Sequence, residues 1–94
     1  FDVSSAVKLF STNALIDDVS VGDTFKNTAG VRNYLDRFFV GYHTETKLVS
    51  VEIISKNHAI AQVDFTGDFG HETGTLDFTT NTNGLLVKIN ADLD

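Results

Sequence analysis

From Ala14 to Val21 the chain alternates in a strand-like way, with Ala14, Ile16 and Asp18 on one side and Leu15, Asp17 and Val19 on the other. Period two predicts a short strand, and its apolar side ends on a carboxylate. Such a position suits proton transfer, because desolvation disfavours the charged form of the group. The competing reading is that Asp18 opens a turn. Upstream, Ala6, Val7 and Phe10 recur at helical spacing. They predict a helix over Val3–Phe10, with Asp2 capping the free N–H groups of its first turn. Ser11–Asn13 ends that helix. Downstream, Gly22-Asp23 and Asn27–Gly30 read as loop chemistry. Val31, Leu35, Phe38 and Phe39, with Tyr34 or Tyr42 alongside, then form a stripe of period 3.6. The stripe predicts a second helix from about Thr28 to Val40, stopped at Gly41.

The remainder returns to period two. Lys47–Ser55 aligns Val49, Val51 and Ile53, and Ala59–Phe69 aligns Ala61, Val63, Phe65 and Phe69. A three-residue loop, Lys56-Asn57-His58, gives the parity that lets Val51 and Val63 share a face. Thr73–Thr82 and Leu85–Leu93 flank Asn83-Gly84, the strongest short hairpin signal. That turn sets Thr82 against Leu85, Thr80 against Val87, Phe78 against Ile89 and Leu76 against Ala91 on an apolar face. Thr79 with Lys88, Asp77 with Asn90, and Thr75 with Asp92 fall on a polar one. Phe78 and Ile89 are therefore expected to be buried, and Asp77 and Asn90 exposed. One apolar and one polar face is the pattern of an antiparallel sheet backed by helices. The fold class predicted is α+β: a four-stranded antiparallel meander plus a short extra strand, packed on helices, as a single domain over residues 1–94.

Composition narrows the function classes. A chain of 94 residues buries a modest fraction of its surface, and without cysteine it has no disulfide to add stability. Eight Phe supply bulky core material. The net charge is −6 and the seven Lys and Arg are scattered, which leaves no basic patch for nucleic acid. No apolar run approaches a membrane span, and no signal-peptide pattern opens the chain, so a cytoplasmic location is expected. Met is absent at position 1 and everywhere else, as expected of a segment lacking its native start.

The order helix, short strand, helix, four-stranded meander resembles the nuclear-transport-factor-2-like superfamily, which includes SnoaL-like polyketide cyclases and ketosteroid isomerases. The segments that carry the likeness are FSTNALIDDVSVG (Phe10–Gly22), NTAGVRNYLDRFF (Asn27–Phe39) and TNTNGLLVKINADL (Thr80–Leu93). The resemblance implies a strongly curved sheet wrapped against the helices, forming a cone with an apolar pocket. It aligns Asp18 with the carboxylate that shuttles protons in the isomerases, where an Asp base faces an oxyanion hole made of a Tyr and a neutral Asp. It also implies a long helix before position 1, which carries the oxyanion Tyr in the isomerases. Without that helix an apolar flank is expected to be exposed. The Asn83-Gly84 register puts Leu76 where the isomerases have their neutral Asp. Both matched donors being absent, steroid isomerase activity is not expected, since an enolate needs donors where its charge develops.

The other constellations are weaker. His43, His58 and His71 have no metal-ligand spacing and read as solvated. Asp64, Asp68, Asp77 and Asp92 read as a solvated outer sheet face, and no cofactor or metal is expected. Ser4, Ser5 and Ser11 lack a His partner for nucleophilic catalysis. Phe10, Ile16, Tyr34, Phe38, Val63, Phe65, Phe78 and Ile89 are the candidate pocket-lining residues, against the plainer reading that they fill the core. The resemblance implies three candidate functions. The first is a SnoaL-like pocket protein for an apolar or polycyclic small molecule, with Asp18 as its polar fixture. The second is an isomerase- or cyclase-type enzyme with Asp18 as general base. The third is a non-catalytic association domain dimerising through the sheet. For that third reading the Ile54, Ile60 and Leu48 patch is the only apolar stretch on an outer face rich in Thr, Asp and Asn.

Overall fold

A computed structural model of the chain describes residues 2–94. The element order is α1 (Val3–Val7), β1 (Phe10–Asp18), β2 (Asp23–Lys26), α2 (Asn27–Leu35), a π-helical turn (Asp36–Val40), β3 (Glu45–Ser55), β4 (His58–Gly67), β5 (Gly70–Thr80) and β6 (Leu86–Leu93). The strands form one six-stranded sheet in the order β2-β1-β6-β5-β4-β3. The fold is α+β, as the patterning predicts. The sheet is mixed rather than wholly antiparallel, however, because β1 runs parallel to β6, with Ile16 opposite Ile89 and Asp18 opposite Ala91. Nothing local encodes that pairing, which brings together segments separated by the entire meander. The strand before Gly22 is nine residues long and leads through a tight turn into β2, which pairs Phe25 with Ile16. The β2 segment is too short for its alternation to stand out from the loop residues on either side.

The inner, helix-facing side of the sheet carries the core. Ala14, Ile16, Phe25, Ile89 and Ala91 are buried there against Val31, Tyr34 and Leu35 of α2. Phe78 is half-buried beside them and pairs with Ile89 as the hairpin register requires. Asp77 and Asn90 lie opposite each other on the outer face, half-buried instead of exposed. The reason for Asp77 is a contact at 2.7 Å to the His58 ring on the same face.

Three departures from the predicted pattern are local. Phe10 begins β1 instead of ending the first helix, which closes after Val7. Asp2 caps that helix as expected, accepting from the Ser5 backbone N–H at 3.1 Å and the Ser5 hydroxyl at 2.8 Å. The β5–β6 connection is longer than a two-residue turn. The Asn81 side chain accepts from the N–H groups of Asn83 and Leu85, and Thr80 pairs with Leu86 across a bulge. Below that bulge the predicted register holds from Thr79–Lys88 to Thr75–Asp92. In β3, irregularities at Val49 and Ile54 shift the parity. Leu48 therefore shares the inner face with Val51 and Ile53, opposite Val63, Ala61 and Ala59, and does not join Ile60 on the outer face. No helix among the described residues is long and apolar enough to cross a membrane.

Candidate functional site

Asp18 is the last residue of β1, and the alternation that buries Ala14 and Ile16 buries it too, at 7% exposure. A buried carboxylate is tolerable when its lone pairs are occupied, and here three donors converge. The Tyr34 hydroxyl donates to Oδ2 at 2.5 Å. The Ser20 backbone N–H donates to Oδ1 at 3.0 Å, and the Ser20 hydroxyl donates to the same oxygen. The two competing readings of Asp18 thus coexist: it caps the turn after β1 while facing inward. A carboxylate offers about four acceptor positions, so one remains for a further donor. Tyr34 is held un-ionised far above the ordinary phenol range, first by burial and then by its hydrogen bond to Asp18 and the nearby negative charge.

Tyr34 reaches Asp18 from α2, and the π-helical turn at the end of α2 shapes the site. An α-helical continuation would already place Tyr34, Phe38, Phe39 and Tyr42 on one broad face, as the predicted stripe requires. The π-helical turn over Asp36–Val40 widens the spiral, its closing bond running from the Gly41 N–H to the Asp36 carbonyl at 2.8 Å. Tyr34, Phe38, Phe39 and Tyr42 line one cavity. Such turns are frequent at functional sites. Gly41 is what permits the closure, since a Cβ there would lie 2.6 Å from the Arg37 carbonyl oxygen. The end of the turn is tied to the sheet. Thr44 donates its hydroxyl to the Phe38 carbonyl at 2.6 Å, and the Asp68 N–H donates to the Tyr42 carbonyl at 2.8 Å. Gly67 allows that approach, because a Cβ would meet the Tyr42 carbonyl oxygen at 2.7 Å.

The resulting cavity is open to solvent and has a volume of about 250 Å³. Asp18, Tyr34, Phe38 and Phe65 of the sequence-derived set line it, joined by Ser20, Val21, Phe39, Tyr42, Thr44, Phe69, Glu72, Leu76, Ala91 and Leu93. Ile16, Val63 and Ile89 are buried away from it, and Phe10 and Phe78 pack against the core. Some of these additional residues are within reach of sequence reasoning. Leu76 and Glu72 lie on the inner face by the parity of β5, opposite Ala61 and Phe65. Phe39 and Tyr42 belong to the apolar stripe of the predicted second helix, although no periodicity announces the π-helical turn that carries Phe39.

The histidines form separate pairs on the surface: His43 with Asp68 at 2.9 Å, His58 with Asp77 at 2.7 Å and His71 with Asp64 at 2.5 Å. Among the described residues no group of three or more His, Asp or Glu is arranged to hold a metal ion.

No family profile matches the sequence, and no curated protein is detectably similar to it. Solved structures do match. The epoxide hydrolase/cyclase-like enzyme SalBIII of pyran ring formation in the polyether salinomycin superposes with a TM-score of 0.85 at 16% identity, over 99% of this chain and 78% of its own. A computationally designed 17-OHP binder gives 0.83 at 13% identity, over 96% and 79%. A protein with a ketosteroid isomerase-like fold from Catenulispora acidiphila, solved in complex with trimethylamine, gives 0.81 at 8% identity, over 95% and 72%. At these identities the likeness is one of fold, and that fold is the nuclear-transport-factor-2-like fold shared with ketosteroid isomerase-like proteins and polyketide cyclases.

Proposed function

We propose that the protein binds a small, largely apolar molecule in the cavity between α2, the π-helical turn and the inner face of the sheet. The observation that carries this reading is the cavity's composition: aromatic and aliphatic walls around a single buried carboxylate, Asp18, which Tyr34 and Ser20 hold in place. Apolar walls with a few fixed polar groups are the general form of a small-molecule site. A relative of the same fold is a designed 17-OHP binder and another was solved with trimethylamine, so the fold accommodates organic molecules of different sizes. In this reading the curved sheet and helices form the cone expected of the fold, and the cavity is its mouth.

The test is binding of the neutral fluorophore N-phenyl-1-naphthylamine. Its emission is expected to rise with wild-type protein and to be lost in Leu76→Trp, which fills the cavity from β5. Unchanged binding by a folded Leu76→Trp variant would put the site elsewhere.

A second reading gives Asp18 a chemical role. Its remaining acceptor position and its place in the cavity wall suit a general base abstracting a proton next to a carbonyl. Against steroid isomerisation, position 76 is apolar and the Tyr34 hydroxyl is already committed to Asp18 itself. Exchange of the α-protons of a bound ketone into deuterated water, lost in Asp18→Asn, is the expected signature. Equal exchange by both proteins would remove Asp18 from that role.

A further inference from the structure

The cavity's walls also carry information about charge. Its aromatic members form a continuous chain of neighbouring rings, Phe69–Tyr42–Phe38–Tyr34–Phe39–Phe65, with successive centroids 6.0, 5.9, 5.1, 6.1 and 6.0 Å apart. All six of these rings line the cavity. The two ionisable acids in the wall are Asp18 on β1 and Glu72 on β5, and no Lys, Arg or His joins them. The sheet register sets the place of Glu72. It occupies an inner-face position opposite Phe65, in register with Gly74 and Leu76, where parity otherwise supplies apolar or small residues. The net charge of the whole chain has the same sign, at −6.

We infer that the cavity takes an organic cation, an alkyl- or arylammonium group surrounded by the aromatic chain with Glu72 beside it. This rests on the small-molecule reading above and specifies the ligand's charge. The physical reason is that aromatic faces carry the negative part of the ring quadrupole and attract a cation within about 6 Å of the centroid. The exposed Glu72 carboxylate in the same wall adds attraction of the same sign. A neutral apolar ligand would gain the same burial without using either feature, and an anion would be opposed by both carboxylates. The molecule already shows two such contacts: the Arg37 guanidinium sits 5.0 Å from the Phe38 centroid and 5.9 Å from that of Phe25, without being part of the cavity wall.

The experiment compares benzyltrimethylammonium with neopentylbenzene, an uncharged molecule of the same shape. Each is titrated separately into the wild-type protein, and binding is read from the aromatic NMR signals of the cavity. The expected result is at least about tenfold tighter binding of the cation. Glu72→Gln is expected to weaken the cation about threefold and leave neopentylbenzene unchanged, since Glu72 is solvent-exposed and its attraction is partly screened. Equal affinities, or tighter binding of neopentylbenzene, would overturn the cation inference and leave the pocket standing. If neither compound moves the ring signals, the pocket reading falls with it. A Glu72→Gln variant that weakens both compounds equally would overturn the charge role of Glu72.

Discussion

The two flanks of the sheet are built from similar residues and have opposite fates. On one flank β1 and β6 contribute Ala14, Ile16, Ile89 and Ala91, all buried beneath α2. On the other, β3 contributes Leu48, Val51 and Ile53 to the same inner face, and every residue of that strand is exposed, Ile53 at 72%. Composition does not separate them, because both are rich in the β-branched and aliphatic residues that favour strands. Cover does. The α2 helix packs on β1 and β2, and the π-helical turn with the residues just after it reaches across to β4 and to the β4–β5 turn through Phe39–Phe65 and Tyr42–Phe69. The cavity lies at the border of the two regimes, where rings span the space but do not fill it. An apolar face in sequence thus identifies the side of the sheet that seeks cover, and the reach of the helix decides how much of it is covered.

The sharpest way to break this comparison is to delete the same atoms on both flanks. Ile16 is 1% exposed, so Ile16→Ala should cost about 3 kcal/mol, the loss of transfer free energy plus an unfilled cavity. That is a large share of the stability of a domain this size. Ile53→Ala should stay within about 0.5 kcal/mol, as expected of an exposed site. Urea unfolding midpoints at equal m-values measure both. Comparable losses would mean that β3 is covered in solution by something other than this chain's helices.

A smaller contrast sets a buried polar contact against an exposed one. Tyr34→Phe removes one of three donors to a buried carboxylate and should cost about 1–3 kcal/mol. His58→Ala breaks a half-exposed pair with Asp77 and should cost under about 1 kcal/mol. The Tyr34 contact also has a pH signature. Burial and Asp18 hold the phenol's folded-state pKa above its unfolded value, which is about 10. The proton is retained in the folded state and lost in the unfolded one, so the stability it confers is complete below pH about 10 and declines as pH rises beyond. The wild-type minus Tyr34→Phe difference spectrum at 295 nm should show no tyrosinate at pH 11 before unfolding. Tyr34→Phe should flatten the alkaline loss of stability. A phenol that ionises in the folded state at pH 10 would mean that Tyr34 faces water.

Most of the sheet was legible in the sequence, and the reason is local. The alternation of β1, β5 and β6 fixes which side chains share a face, so the inward placement of Asp18 could be read from a short window. Phe78–Ile89 and Leu76–Ala91, by contrast, pair as read because the bulge at Thr80 compensates for a connection longer than the two-residue turn expected at Asn83-Gly84. What was not legible depends on distant or compensating events. The parallel β1–β6 pair joins chain segments about 70 residues apart. The bulges of β3 exchange Val49 for Leu48 on the inner face without any Gly to mark them. The π-helical turn over Asp36–Val40 interrupts the predicted α-helix, and nothing in the 3.6 period of Leu35, Phe38 and Phe39 marks it. For the site the consequence is specific. Asp18 and Tyr34 were individually visible, but the bond between them was not, because sixteen residues and a helix orientation lie between.

The smallest expected effect tests whether the packed flank extends to the first helix. Val3, Ala6 and Val7 of α1 pack against the core cluster, but α1 is only five residues long and its buried contacts are partial. A helix that short does not persist on propensity alone, so its cap should matter. Asp2 is fully exposed, and the Ser5 hydroxyl, followed by the Ser5 backbone N–H, holds its pKa below the ordinary carboxylate value. A depressed folded-state pKa contributes stability that is present above the unfolded value of about 3.9 and is lost as pH falls through the folded one. Asp2→Asn keeps an equally good capping oxygen without the titration. Amide exchange at Ser5 and Ala6 should therefore accelerate in the wild type as pH falls from 5 to 2, beyond the intrinsic trend, and should not do so in Asp2→Asn. Amides of β1 and β6 should respond alike in both proteins, because opening of α1 is local. If the β1 amides lose protection together with Ser5, α1 unfolds as one unit with the packed flank, and the boundary between the two regimes lies beyond the chain's first helix.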